Sequence, residues 1–308
     1  MPQDLYNKTY HTELTKVTWI GFFLNLILVL LKIVVGYFSR SQALIADGFH
    51  SLSDGVTDLA VLLGKHFWTA PADEEHPHGH GRIEMLITIF IGILLGIAGI
   101  FLASNSIKTL SIDRKETILS LPIIIIAGFS IISKEILYRY TVFIGKKIQS
   151  SAVIANAWHH RSDSLSSIPV AIAGIGIMIS PSYQMLDPLG ALLVSIFIIY
   201  SAYQIVHPML NYLIDQGMSN KEIEQLNMIA RSIEGVKSIH AIRSRHIGGG
   251  IAIDLHVLVN PELTVKEGHL ISGKVKRALL ERGENIIDVL IHIEPYEEKP
   301  KEEESHKM

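Results

Sequence analysis

The chain has 308 residues, of which 48% belong to the AVILMFWYC set and 19% are charged, with a mean hydropathy of +0.33. This excludes a disordered chain and is the composition of a membrane protein. The balance of 27 basic and 30 acidic residues, net −3, argues against a nucleic-acid binder, and the lack of cysteine excludes disulfides, thiolate metal sites and a cysteine nucleophile.

The first sixteen residues are polar and mixed in charge, without the apolar run of a signal peptide. Six apolar segments follow, at roughly 17–38, 41–64, 85–108, 117–141, 152–179 and 187–210. Each is long enough to cross a bilayer core, which takes about 20 helical residues. The third is uncharged from Met85 to Ser104, whereas the second and fifth carry ionisable residues. With the N-terminus inside, Lys8, Lys16, Lys65, Arg82, Arg139, Lys146 and Lys147 fall on inner ends. Arg40, Lys108, Arg114 and Lys115 fall outside. The excess favours a cytoplasmic N-terminus. Six spans then return the chain to the cytoplasm.

After Asp215 the texture changes. Residues 219–233 read as a short helix, 236–245 and 251–259 as strands joined by a glycine turn at 248–250, 264–282 as a helix and 286–293 as a third strand. The reading is a six-helix transmembrane domain over 1–215 with a His-rich loop at 66–82. A small α+β domain of order α-β-β-α-β, like a metallochaperone, covers 216–296, and a disordered Glu- and Lys-rich tail covers 297–308.

Fifteen histidines stand out, since without cysteine only His and carboxylates remain as strong transition-metal ligands. In the second span Asp47, His50, Asp54 and Asp58 fall within about 80° of one another at helical spacing. In the fifth span Asn156, His159 and Asp163 repeat the pattern polar-x-x-His-x-x-Ser-Asp. An ionisable group at mid-membrane costs about 2.5–3.5 kcal/mol on insertion scales, so two such clusters point to each other or to water. His50, Asp54, His159 and Asp163 make an N₂O₂ set suited to tetrahedral Zn²⁺ and also to Fe²⁺, Co²⁺, Mn²⁺ or Cd²⁺. The bland counterpart is a hydrogen-bonded network between helices. Asp47, Asp58 and Asn156 either support the ligands and line the path or serve as helix-packing polar groups. His160 lies one residue off the ligand face.

The two HxxxD elements, His50/Asp54 and His159/Asp163, in a six-span chain resemble the transport site of the cation diffusion facilitator family, and the likeness runs from the first helix to Glu294. His76, His78 and His80 at spacing two with acids upstream read either as a surface metal site or as a generic His-rich loop of weak affinity, and the resemblance implies the former, at Asp73, His76 and His80 with His78 as an extra candidate. It implies a site of His240, His256, His269, His292 and Glu294 between two cytoplasmic domains, Glu294 standing where relatives often have Asp. It also implies an interlock of Arg82 with Asp215, whose bland counterparts are a positive-inside anchor and a solvated helix-end charge. His11, His66, His207, His246 and His306 are left without a role.

The resemblance further implies a homodimer that exports divalent cations, Zn²⁺ foremost; the charge bias and six spans put both termini in the cytoplasm, the compact chain without a targeting sequence fits the cell (inner) membrane, and the ligand chemistry couples export to proton counter-flow. Zn²⁺ or another transition metal would be both substrate and regulatory ligand. Metal binding needs deprotonated ligands, so loading releases protons. No GxxxxGK[ST], HExxH or GxSxG sequence is present, so neither a built-in ATPase nor a common hydrolase is expected. The competing reading is a non-transporting membrane metal sensor or scaffold.

Overall fold

The computed structural model describes residues 3–53, 55, 70–111, 118–147 and 151–297, with residues 3–15, 151, 152, 155, 156 and 159 described through the backbone alone. The chain divides into two compact units, one ending at His207 and a second that takes in the loop before Leu86 and everything from Pro208.

The first unit is helical. α1 (Gln3–Ser39) is followed by α2, helical over 42–53, then by the body of α3 (Arg82–Leu110), α4 (Ser120–Lys147), α5 (Ser151–Ser164), α6 (Ser167–Ile179) and α7 (Leu186–Leu213). Five stretches among the described residues are long and apolar enough to span a membrane: Lys16–Ser39, Arg82–Leu110, Ser120–Lys147, His160–Ile179 and Pro181–Leu213. Of the sixth expected span, 41–64, residues 54 and 56–64 lie outside the described residues, and its first part is α2. Large apolar side chains such as Phe38, Phe101, Phe143 and Ile179 point outward. An apolar surface of this extent needs lipid rather than water. Inside, Leu44, Leu95, Ile123, Val170, Val194 and Ile198 form the core. Close helix approach depends on small residues: a Cβ on Gly36 would lie 2.8 Å from the Ile45 side chain and 3.0 Å from its backbone nitrogen.

The turn from α1 to α2 places Arg40 at φ 59°, and Ser41 then caps α2 by accepting from the Leu44 amide at 3.1 Å. Buried Asp187, in the first turn of α7, accepts from Ser41 Oγ at 2.5 Å and from the amides of Gln42 and Ala43 at 2.8 and 3.3 Å. A carboxylate thus meets the positive end of α2 and satisfies amides that have no intrahelical partner.

The segment expected as one continuous span at 152–179 is two helices, broken at Leu165–Ser166. Pro169 has no N–H to give the Leu165 carbonyl, which accepts from the Ile168 amide at 3.2 Å instead. Ser166 Oγ turns back onto the Asp163 carbonyl at 2.8 Å.

The second unit carries α8 (Asn220–Arg231), β1 (Ser238–Ile247), β2 (Gly250–Val259), α9 (Val265–Arg282) and β3 (Ile286–Pro295), in the expected α-β-β-α-β order with ends shifted by a few residues. The sheet order is β1-β2-β3, with β1 antiparallel and β3 parallel to β2. Gly248 at φ 59° and Gly249 form the hairpin turn, while Gly250 already belongs to β2. Both helices start with full capping boxes, Ser219 with Glu222 and Thr264 with Glu267. Ile253, Leu255 and Val257 of β2 pack with Leu226 of α8 and Val275 and Leu279 of α9. Because strand side chains alternate, Asp254 and His256 project from the opposite, helix-free face.

Candidate metal sites

Among the described residues, the apolar interior of the first unit holds two buried lysine–aspartate pairs. Lys32 Nζ of α1 lies 2.8 Å from Asp47 Oδ2 of α2, both side chains fully buried. Asp47 also accepts from Ser166 Oγ at 2.7 Å and Ser167 Oγ at 2.6 Å. Lys32 donates to Ser51 and Ser167 at 3.0 and 3.1 Å, and the Ser130 and Ser167 hydroxyls lie 3.1 Å apart. Asp47 is therefore the acceptor in a hydroxyl-lined ion pair that ties α1 and α2 to the α5–α6 break.

The second pair joins α4 to α5: Lys134 Nζ lies 3.3 Å from Asp163 Oδ2, the side chains 3% and 7% exposed. Asp163 stands one helical turn after His159 on α5, just before the break. On α2, His50 is 6% exposed, and its Nδ1 has no hydrogen-bond partner among the described residues. A buried imidazole nitrogen without a donor or acceptor is costly unless a ligand completes it. Asp54 and Asp58 lie outside the described residues. His159 and Asn156 are placed by the α5 backbone alone, so the four-residue set is not seen assembled. His160 packs toward α1, its Nε2 3.4 Å from where a Cβ on Gly21 would sit.

In the loop before α3, Asp73, His76 and His80 come together with donor atoms within 4.8 Å of one another. Asp73 accepts from the His76 amide at 2.6 Å, and its two carboxylate oxygens lie 3.2 and 3.4 Å from His76 Nδ1 and His80 Nε2. The His76 amide, followed by the two imidazoles, holds this carboxyl below its usual range. Gly79, at φ 77°, turns the chain so that the His76 and His80 rings approach to 4.4 Å. His78 is exposed and outside the group.

On the open face of the sheet, register does the assembling. His240 of β1 sits opposite His256 of β2, which sits opposite His292 of β3. The rings follow one another at 5.2 and 4.9 Å. Glu294, two residues beyond His292, reaches back: Oε2 is 2.7 Å from His240 Nε2, and Oε1 is 2.8 Å from His256 Nδ1 and 3.6 Å from His292 Nε2. The hydrogen bond from His240 is the largest influence holding the Glu294 carboxyl below its usual range. Ligand atoms of His240, His256 and Glu294 lie within 4.8 Å of one another, and this set of two imidazoles and a carboxylate fits Zn²⁺ or a similar cation. His269 does not join them within one chain. It lies on α9, in the layer against the other face of the sheet, because alternation sends His256 and the helix-contacting Leu255 to opposite sides.

Arg82 Nη2 binds Asp215 Oδ1 at 2.7 Å, both side chains about half exposed. Lys32 and Lys134 escape the sequence reading, although the rule applied to the acids, that a charge inside an apolar span is paired or functional, points to them as well.

A family model described as the cation efflux transmembrane domain matches residues 18–214, and one for the cation efflux protein cytoplasmic domain matches 218–296. An uncharacterized transporter of Methanocaldococcus jannaschii is 35% identical over 88% of this chain and 94% of its own length. Manganese efflux system protein MneP of Bacillus subtilis is 32% identical over 92% of this chain and 97% of its own. Magnetosome protein MamB of Paramagnetospirillum magneticum is 29% identical over 91% and 94%. With six apolar segments, a C-terminal α/β domain and these matches, the chain belongs to the cation diffusion facilitator family, multi-pass membrane transporters, not enzymes, that export divalent metal cations.

Proposed function

We propose that this chain exports Zn²⁺ from the cytoplasm in exchange for protons, as a homodimer in the cell (inner) membrane with both termini cytoplasmic. The observation that carries the reading is His50: a buried imidazole whose Nδ1 has no partner among the described residues, on the helix whose HxxxD pattern recurs at His159 and Asp163. The cargo binds His50, Asp54, His159 and Asp163. Two imidazoles and two carboxylates neutralise a divalent ion and satisfy its tetrahedral preference. Ligand atoms of the same site take protons when the metal leaves, so loading on one side expels protons and acidity on the other displaces metal. Alternating access follows from helices rocking about the fixed site.

The exposed clusters have supporting roles. Asp73, His76 and His80 gather metal at the cytoplasmic mouth. The His240, His256, His292 and Glu294 row, completed across the dimer by His269, binds metal that biases the conformational equilibrium. The Arg82–Asp215 bond acts as an interlock. Relatives named for manganese efflux make Mn²⁺ the main competing cargo.

The test is flux in proteoliposomes carrying a pH gradient, with Zn²⁺, Mn²⁺, Fe²⁺, Co²⁺ and Cd²⁺ in parallel and His50→Ala as control. Zn²⁺ flux that follows the proton gradient and is lost in the variant is expected. Flux of Mn²⁺ in preference to Zn²⁺ would overturn the cargo. Metal binding without flux of any ion would favour the sensor reading.

A further inference from the structure

We propose that Lys134 is a tethered counter-cation of the transport site, which holds Asp163 when the site is empty and competes with the cargo for it when the site loads. The inference rests on the reading above that Asp163 is a cargo ligand. Its own observation is the 3.3 Å approach of Lys134 Nζ to Asp163 Oδ2 between α4 and α5, with both side chains almost fully buried.

Surroundings separate this pair from the other ion pairs nearby. Arg139 and Arg161 both reach Glu135, but these are solvent-exposed contacts of the kind that contribute little. Lys32 and Asp47 are buried, yet both are also bonded to serine hydroxyls, and Asp47 lies outside the two HxxxD elements. Lys134 places a buried ammonium on a residue of the HxxxD pattern.

The charges of the site then have a definite order. Asp54 and Asp163 supply two negative charges, and Lys134 supplies one positive. A divalent cargo neutralises the carboxylates by itself, so with Lys134 still in place the loaded site is one positive charge in excess. In a water-poor interior that excess weakens binding or drives the ammonium off Asp163. On the return step the ammonium takes the Asp163 carboxylate back, while the protons of the exchange go to His50, His159 and Asp54, so no bare carboxylate is left among apolar helices. The arrangement also discriminates by valence. A monovalent cation offers Asp163 no more charge than the tethered ammonium already does, whereas a divalent one does.

The experiment uses purified full-length protein in a background carrying His76→Ala and His240→Ala, so that the exposed clusters are silent. Zn²⁺ affinity at fixed pH is measured by competition with a fluorescent chelator, and Zn²⁺ flux is measured in liposomes. Lys134→Met and Lys134→Gln are expected to bind Zn²⁺ about tenfold tighter or more and to turn over more slowly. Lys134→Arg, which keeps the charge, is expected to stay near the parent affinity. Unchanged affinity in the neutral variants, or a tenfold gain in the arginine variant, would overturn the proposal. Asp163→Asn separates the two readings. If it binds Zn²⁺ like the parent, the transport-site assignment fails; if it loses Zn²⁺ while Lys134→Met binds as before, only the counter-cation fails. Should the neutral variants not fold, a membrane-permeant carbodiimide on the parent protein decides. Lys134–Asp163 coupling, read by mass spectrometry, is expected without Zn²⁺ and suppressed with it. Equal coupling in both conditions would overturn the proposal.

Discussion

His50 is 6% exposed on a helix of the first unit, whereas the side chains of His240 and His292 in the second unit are 53% and 66% exposed on an open sheet face. The carboxylates beside them differ in the same sense. Inside the helical unit Asp47 and Asp163 each have a lysine within 3.3 Å, and the serine hydroxyls around Asp47 are turned toward it. On the sheet, Glu294 has imidazoles instead, which are cationic only when protonated. Where water is scarce an anion needs a permanent partner. Where water is plentiful geometry is enough, and a metal can come and go without stranding a charge.

The comparison breaks most sharply at the lysines. Lys32→Met leaves Asp47 as a buried anion, and loss of one partner of such a pair costs about 3–5 kcal/mol. The variant is expected to melt far lower in detergent, or to reach the membrane in reduced amount, and Lys32→Met with Asp47→Asn should recover part of the loss. Full stability of the single variant would show that the interior is wetter than its burial implies.

On the exposed side the expected effect is metal-dependent. His240→Ala should leave the metal-free protein about as stable as the parent. It should remove the share of Zn²⁺ stabilisation that comes from the sheet site, worth about 2.7 kcal/mol for the parent at 100 times that site's Kd. Thermal melts with and without Zn²⁺ check this. A smaller loss, about 1 kcal/mol, is expected for Thr264→Ala, which removes the N-cap of α9 and its reciprocal bonds with Glu267. Chemical denaturation of the full chain reads it.

The smallest effect is on the acid limb. Glu294 and Asp73 are both held below their ordinary values. A depressed carboxyl contributes stability that is fully present above its unfolded pKa, about 4, and is lost as pH falls through the lower folded value. The melting temperature should therefore show no contribution from these two groups to its slope between pH 8 and 5. It should decline below about pH 4, with Glu294→Gln flattening that limb. Salt should weaken the effect, since both groups are exposed.

The helical membrane domain and the α-β-β-α-β domain were legible because each rests on a local periodic signal: long apolar runs for the first, alternation and a glycine turn for the second. The break at Leu165–Ser166 was less visible, since the residues around it are apolar enough to continue a span. Pro169 was the local signal, acting through the bond it cannot donate to Leu165. The His240, His256 and His292 row needed strand register, which the bulge at Ala241, φ 48°, adjusts by one residue and which no residue spacing states. His269 shows the opposite case, a histidine in the same domain that the fold sets on another layer.

By itself the sequence determined which residue types are available to hold a cation and that the chain crosses a membrane several times, because ligand chemistry and apolar run length are properties of residue types in order. Only the tertiary structure decided which cation sits beside Asp47 and which beside Asp163. Lys32 meets Asp47 and Lys134 meets Asp163 across different helices, and such pairs arise from helix packing rather than from spacing along one chain segment. The physical reason is range: periodicity is set within a few residues, whereas the free energy of a buried charge is set by whatever the fold brings within a few ångströms of it.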